Sequence, residues 1–193
     1  MIQKSLVLMK PDAVKRGIVG EIIQRFERAG LKIVALKILE VSEGLGSKHY
    51  NHDDEWKLKV GFRNIEDCKL NGMDAMECFA TEDPKEIGAM VDKRNAQFLA
   101  SGPVIAIVFE GVNAVSKIRS LVGSTFPDTA APGTIRGDYG LDSALAGMKR
   151  KRTTFNMIHA SGAVDEAEEE IKLWFKPEEI LSYRRVHEDV YNY

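Results

Sequence analysis

The chain has few of the residues that would indicate a disulfide scaffold, a zinc site or a membrane protein. Only two of its 193 residues are cysteines, Cys68 and Cys78, and no CxxC or Cys/His ligand spacing occurs. This pattern favours a reducing compartment and argues against structural zinc and a Cys68–Cys78 disulfide. No apolar run approaches the roughly 20 residues that span a bilayer, and the N-terminal run is too short for a signal peptide. We therefore expect a soluble, cytoplasmic protein without a membrane partner.

The chain also lacks an excess of charge of either sign. Lys and Arg number 27 and Asp and Glu 29, so the formal net charge is −2 and we expect no stable nucleic-acid partner. No GxxxxGKS or GxxxxGKT occurs, which excludes a P-loop kinase, and no GxGxxG follows a predicted strand. His49 and His52, beside Asp53 and Asp54, form only a loose cluster that is more typical of a polar loop than of a metal site.

Hydrophobic periodicity predicts one domain, residues 1–193, in which strands alternate with helices. A chain of 193 residues that is 44% hydrophobic can bury its own core, and no repeat or linker divides it. The predicted strands are 4–9, 32–40, 104–110 and 155–158. The predicted helices are 20–29, 42–50, 84–99, 113–122 and 165–175, with 51–81 irregular. This alternation alone is also compatible with a parallel α/β sheet.

His159 is the first candidate for catalysis, because it follows a short apolar run and precedes an acidic helix. A neutral imidazole, with an ordinary pKa of about 6.5, has a lone pair that can attack phosphorus. Its other nitrogen then needs a fixed partner. The helix offers carboxylates at positions Asp165, Glu166, Glu168, Glu169 and Glu170.

Cations at three other positions support a polyphosphate site. Lys10 ends the first predicted strand, and Arg119 and Arg136 flank a loop rich in Gly, Ser, Thr and Pro. Such groups neutralise phosphate oxygens, and an arginine can bind two of them at once. Each also has an ordinary explanation: Lys10 as a solvated strand end, Arg119 as a surface residue of a helix, and Arg136 as part of a tight turn. Their joint occurrence with His159 favours function.

Five blocks of the sequence resemble the nucleoside diphosphate kinase family, in the family's order. They are LVLMKPDAVKRGIVGEIIQRFERAGLKIVALK, SGPVIAIVFEGVNAV, PGTIRGDYG, NMIHAS and EEEIKLWFKPEEI, of which KPDAVKRG, PGTIRGD and NMIH are the most specific. The resemblance implies an α+β, ferredoxin-like fold, in which helices pack on one face of a four-stranded antiparallel sheet. It also implies a homo-oligomer, commonly a hexamer, with residues 124–137 and the C-terminal tail at subunit contacts.

The resemblance further implies a function and a set of site residues. ATP would phosphorylate His159, and the phosphohistidine would pass the phosphate to a nucleoside diphosphate in a ping-pong mechanism. Glu170 would orient the ring, and Tyr50 would lie beside it. The phosphates, bridged by Mg²⁺, and the sugar would be held by Lys10, Arg119, Thr125, Arg136 and Asn156. A non-catalytic nucleotide-binding or scaffold protein on the same fold is the alternative.

The chain departs from the family's pattern in two segments, about 51–81 and 141–153, which we interpret as insertions. The second contains a basic run, 149–152, which is either a solvated loop or an extra phosphate, nucleotide or subunit contact. Where the family has glycine after the histidine, this chain has Ala160, and the Ser161 that follows is expected to hydrogen-bond within the site as a substrate contact.

The position of the family's base-stacking aromatic residue falls at Val91 in this chain. The base-binding mode is therefore expected to differ from that of the family. Trp56 and Phe62, in the first insertion, are candidate replacements.

Overall fold

The computed structural model describes residues 1–186, in which four strands form one antiparallel sheet. They are β1 (Ile2–Met9), β2 (Lys32–Glu40), β3 (Pro103–Val112) and β4 (Ile158–Ala160), in the order β2-β3-β1-β4. β1 pairs with β3 and β4, and β2 pairs with β3, all antiparallel. This topology confirms the ferredoxin-like α+β prediction and excludes the parallel sheet.

Helices connect and cover the strands. They are α1 (Pro11–Lys15), α2 (Val19–Arg28), α3 (Glu43–His49), α4 (Asp54–Leu70), α5 (Ala75–Phe79), α6 (Pro84–Leu99), α7 (Ala114–Val122), α8 (Ile135–Tyr139), α9 (Ala144–Lys149) and α10 (Val164–Trp174). Within the described part of the chain, none combines the length and the apolar character that a membrane span requires. Predictions that extend over residues 187–193, including part of the C-terminal tail, lie outside the described residues.

Both faces of the sheet are covered, which differs from the predicted packing on one face. Val7 and Met9 of β1 join a core that contains residues of α2 and α7. Leu6 and Leu8 point to the other face and join a core that contains residues of α6 and α10. Because consecutive β1 residues are apolar and fully buried, each face of the strand needs its own cover.

Residues 51–81, which were expected to be irregular, contain the helices α4 and α5. Asp53 begins α4 by accepting a hydrogen bond from the Trp56 N–H, and Asp74 begins α5 in the same way. Two glycines let α4 and α6 touch through their backbones. A Cβ atom on Gly61 would lie 1.8 Å from the Pro84 oxygen, and one on Gly88 would lie 2.1 Å from the Lys57 oxygen.

A small third core joins the two segments that we interpreted as insertions. It contains Cys68 of α4, Cys78 and Phe79 of α5, Ile87 of α6 and Met148 of α9. Both cysteines are buried free thiols. The two segments therefore pack against each other beside the sheet.

Candidate active site

His159 lies in β4, opposite Leu8 of β1. The strand begins later than predicted because Met157 has a left-handed φ of 63°. The Met157 N–H donates to Asp12 Oδ2 at 2.9 Å, and its carbonyl accepts from the Lys10 N–H at 2.8 Å. These bonds fix the start of β4 against the end of β1, which brings Lys10 close to His159.

A carboxylate faces one nitrogen of the His159 ring. His159 Nε2 lies 2.7 Å from Glu170 Oε1, and the histidine side chain is 17% exposed. Ser161 Oγ donates to Glu170 Oε2 at 2.6 Å and accepts from the Leu6 N–H at 3.2 Å. Glu170 is thus fixed to the central strand, and Nδ1 is the His159 nitrogen left for a substrate.

The electrostatic surroundings keep His159 neutral. Burial lowers its pKa well below the ordinary value, and the charges of Lys10, Arg136, His52 and Arg119 lower it further. A neutral ring retains the lone pair that a nucleophile needs. At neutral pH the imidazole is therefore in its reactive form.

A cavity of about 610 Å³ opens in front of His159 and has two walls. We call one the sheet wall; it is formed by Lys10, Arg119, Thr125, Arg136, Asn156 and His159. We call the other the helical wall; α4, α6 and α9 contribute Trp56, Val60, Arg63, Asn64, Val91 and Met148 to it.

Hydrogen bonds connect the polar groups of the sheet wall. Lys10 Nζ donates to Asn156 Oδ1 at 2.9 Å, and Asn156 Nδ2 donates to the Thr125 carbonyl at 3.0 Å. Burial, with help from the charge of Arg136, lowers the pKa of Lys10 to about 7. An anionic ligand would favour the charged form of this lysine.

The two arginines of the sheet wall have different surroundings. Arg136 is buried and donates to the backbone carbonyls of Gly123, Ser124, Asn156 and Ile158. Burial lowers its pKa to about 10. Arg119 is exposed to the cavity and has no side-chain partner among residues 1–186. Arg136 therefore also holds the site together, whereas Arg119 is free to bind an anion.

His49 is a neighbour of His159 that the sequence interpretation missed. Its ring centroid lies 4.4 Å from that of His159, edge to face, and its Nδ1 accepts from Trp174 Nε1 at 3.3 Å. Tyr50, which was predicted beside the nucleophile, lies 6.4 Å from it between centroids. Burial and the charge of Glu170 raise the pKa of Tyr50. The segment expected to be a polar loop therefore packs against the site.

His49, His159 and Glu170 together could hold a metal ion, since their ligand atoms lie within 4.8 Å of one another. Two imidazoles and one carboxylate suit Zn²⁺, whereas Mg²⁺ prefers oxygen ligands and retains water. This group therefore does not suit Mg²⁺, which is expected to be bound through the nucleotide phosphates.

Comparison with known proteins agrees with this geometry. The family model for nucleoside diphosphate kinase matches residues 3–65 and 64–180. The nucleoside diphosphate kinase of Pyrobaculum aerophilum is 43% identical over 180 residues, which are 93% of this chain and 98% of that protein. This chain belongs to the nucleoside diphosphate kinase family. Its members are phosphotransferases that act on nucleoside di- and triphosphates.

Two solved structures of nucleoside diphosphate kinases are similar to this one. The Pyrobaculum aerophilum structure has a TM-score of 0.91 at 42% identity and covers 94% of this chain and 100% of its own. The Borrelia burgdorferi structure, a transition-state mimic with bound vanadate and ADP, has a TM-score of 0.76 at 36% identity. It covers 97% of this chain and 95% of its own.

Most of the site residues predicted from the nucleoside diphosphate kinase resemblance meet at the cavity. Those that line it are Lys10, Tyr50, Val91, Arg119, Thr125, Arg136, Asn156 and His159, and Glu170 lies directly behind His159. Ser161 differs from its predicted substrate contact, because it is fully buried and bonded to Glu170. It holds the carboxylate instead of facing the cavity.

Some of the insertion residues that were candidate substrate contacts line the cavity, and others do not. Trp56 lines the cavity, but one face of its ring stacks on His52 with centroids 3.7 Å apart. Phe62 is 61% exposed and lies outside the cavity lining. In the basic run, Arg152 lines the cavity and pairs with Asp142 at 2.6 Å, whereas residues 149–151 are exposed.

Proposed function

We propose that this kinase transfers the terminal phosphate of ATP to a nucleoside diphosphate through a covalent phosphohistidine on His159. One observation carries the proposal: a neutral His159 has Nε2 against Glu170 and shares a cavity with Lys10, Arg119 and Arg136. A nucleophile, its orienting partner and anion-binding groups therefore occur in one place.

In the first half-reaction, His159 Nδ1 attacks the terminal phosphorus, and the bond to the bridging oxygen breaks. The nucleoside diphosphate leaves with that electron pair, and Glu170 stabilises the positive charge that develops on the ring by accepting from Nε2–H. In the second half-reaction, a terminal phosphate oxygen of another nucleoside diphosphate attacks the phosphorus, and the P–N bond breaks. The ring returns to its neutral form.

The remaining groups of the sheet wall act by position and charge. Arg119 and Arg136 face the negative charge that spreads over the oxygens of the moving phosphoryl group. We propose that Thr125 contributes a hydroxyl to the phosphates, that Asn156 binds the sugar, and that Lys10 contacts both the phosphates and the sugar. The bond between Lys10 and Asn156 supports this pairing, because it already places both groups at one point of the wall.

We infer that Mg²⁺ enters with the nucleotide. The cations of the sheet wall fit phosphate oxygens, so the ion would be held chiefly by the phosphates rather than by protein ligands. When bound, it neutralises phosphate charge and supports the in-line geometry. Lys10, Arg119 and Arg136 hold the oxygens that the ion leaves free.

We also infer a homo-oligomer, with a hexamer as the expected form. The outer strand β2 exposes Leu36 at 52% and Ile38 at 64%, an apolar edge suited to a second copy of the chain. Size-exclusion chromatography with light scattering tests this assembly. The buried thiols of Cys68 and Cys78 support a reducing location such as the cytoplasm. We retain one domain with two insertions as the domain organisation.

A labelling experiment tests the proposed reaction. The protein is incubated with γ-labelled ATP and Mg²⁺ without an acceptor, and should take up acid-labile, alkali-stable label. Added GDP should then release that label as GTP. A His159→Ala variant should take up none, and label on this variant would overturn the assignment of the nucleophile. Nucleotide binding without labelling of the wild type would favour the scaffold alternative.

A further inference from the structure

The cavity lining contains a pair of side chains suited to stacking on a nucleobase, one on the helical wall and one directly after Thr125 of the sheet wall. The inference rests on the proposed function, because it assumes a nucleotide whose terminal phosphate faces His159. The aliphatic Val91 of the helical wall has no aromatic face. Among residues 1–186, the aromatic side chains other than histidine that line the cavity are Tyr50, Trp56, Phe79 and Phe126.

Three of these rings already pack against other side chains. Tyr50 packs beside His159, where the phosphate must react. Trp56 has one face covered by His52. Phe79 is buried, with the Arg94 guanidinium 5.1 Å from its ring centroid. Phe126, by contrast, is only half-buried and directly follows Thr125.

Phe126 faces a guanidinium that can move. Arg63 Cζ lies 5.2 Å from the Phe126 ring centroid, and the Arg63 side chain is 64% exposed. Its one carboxylate contact among the described residues is weak, since Asp67 Oδ2 lies 3.9 Å from Arg63 Nε. Arg63 is two turns beyond Trp56 on α4, about 10 Å at 1.5 Å per residue. It therefore lies about 10 Å along α4 from the ring that stacks on His52.

We propose that Phe126 and Arg63 form the nucleobase clamp of this enzyme, with the base between the ring and the guanidinium. Both groups stack on the flat face of any base. A base between them needs a separation of about 7 Å, or two contacts of about 3.5 Å. Arg63 must then move outward by roughly 2 Å from its present contact, which its exposure allows.

Such a clamp recognises the face of the base and not its hydrogen-bonding edge. The kinase therefore accepts all the common bases, and purine nucleotides bind more tightly than pyrimidine nucleotides because they stack over a larger area. The clamp residue on α4 belongs to the first insertion, so this segment sets the base preference.

Kinetics on two variants and one matched control test the clamp. Arg63→Ala removes the guanidinium, and Phe126→Leu removes the ring while it keeps apolar bulk. Phe62→Ala, on the same helix but outside the cavity, is the control. We expect both clamp variants to raise the KM for GDP by about five- to tenfold and to raise the KM for CDP less. The kcat should stay within about twofold, and the control should resemble the wild type.

A donor without a base distinguishes stacking from phosphate binding. Ribose 5′-triphosphate should label His159 at the same rate in the wild type and in Arg63→Ala. If Arg63→Ala impairs the reaction with this donor as much as the reaction with ordinary nucleotides, Arg63 contacts the phosphates, and the clamp is overturned. Unchanged KM values for GDP in both variants would also overturn it. A wild type that takes up no label from ATP is a different result, because it contradicts the proposed reaction itself.

Discussion

The two walls of the cavity are held in place in different ways. On the sheet wall, Lys10 and Asn156 are buried and hydrogen-bonded, and Arg136 donates to four backbone carbonyls. On the helical wall, Arg63 is mostly exposed and makes only a cation–π contact and a long ion pair. The difference separates a wall that is fixed by buried hydrogen bonds from a wall whose side chains can adjust to a ligand.

The two walls are also supported by different parts of the fold. His159 is part of β4, and Glu170 is tied through Ser161 to β1. By contrast, α4 rests on α6 and on the small core around Cys68. Changes in the helical wall should therefore alter substrate binding and local stability, while changes in the sheet wall should alter the chemical step.

The largest effect is expected when the free cation of the sheet wall is removed. Arg119→Ala should lower kcat/KM by about 10²–10³-fold, because a charge aimed at the moving phosphoryl group is lost. Steady-state kinetics with ATP and GDP measure it. Arg28→Ala, an exposed arginine on α2 outside the cavity, is the control. A loss below threefold for Arg119→Ala would show that Arg119 does not act on the phosphates.

Removal of the orienting charge should have the next largest effect. Glu170→Gln should reduce the rate of His159 labelling by about 10–100-fold, because the charge that steadies Nε2–H is lost. Rapid-quench labelling with γ-labelled ATP measures this rate. Glu169→Gln changes the exposed neighbour on the same helix and should leave the rate unchanged. Equal rates in the two variants would contradict the role of Glu170.

The helical wall can be loosened without a change in the sheet wall. Gly88→Ala places a Cβ atom 2.1 Å from the Lys57 oxygen and should lower the free energy of unfolding by about 1–3 kcal/mol. Thermal unfolding measures the change. Gly44→Ala, in α3 with open space around it, should stabilise by about 0.5–1 kcal/mol. Labelling by ribose 5′-triphosphate should survive in Gly88→Ala, and its loss would show that the two walls are coupled.

A dependence of stability on pH is expected from the buried lysine of the sheet wall. The pKa of Lys10 is about 7 in the folded protein and about 10.4 in an unfolded chain. Between these values the unfolded chain binds a proton that the folded one does not, so this lysine makes stability rise with pH. The Tm difference between the wild type and Lys10→Met should therefore grow in favour of the wild type from pH 7 to pH 10. A Tm difference that stays constant from pH 7 to pH 10 would contradict the low pKa of Lys10.

Local patterns predicted the strands β1, β2 and β3 and the helix α2 well, whereas the antiparallel arrangement of the sheet was implied by the family resemblance. The buried run Leu6–Met9 reads as a central strand, and Ile22 and Phe26 are buried at the helical spacing that predicted α2. Helix α4 was missed because its apolar residues do not follow one face, and only Gly61 and Cys68 are buried. The cap Asp53, three residues before Trp56, was the local signal for its start.

In the site, too, features that depend on contacts between distant parts of the chain were not predicted from local sequence. The family blocks contain Lys10, Arg136, Asn156 and His159 of the sheet wall, and the family resemblance also implied Arg119, in α7, and Thr125. The start of β4 was misplaced because the conformation of Met157 depends on Asp12, which is 145 positions away in the chain. The contact of Arg63 with Phe126 depends on how α4 packs on α6, which no local pattern contains.

The position of the phosphate on the His159 ring tests the central claim most directly. The phosphoenzyme, formed from ATP in protein with ¹⁵N-labelled histidine, is examined by ³¹P and ¹⁵N NMR. Because Glu170 faces Nε2 at 2.7 Å, we predict phosphorus on Nδ1 and a proton on Nε2. Phosphorus on Nε2, or on any other side chain, would contradict the account.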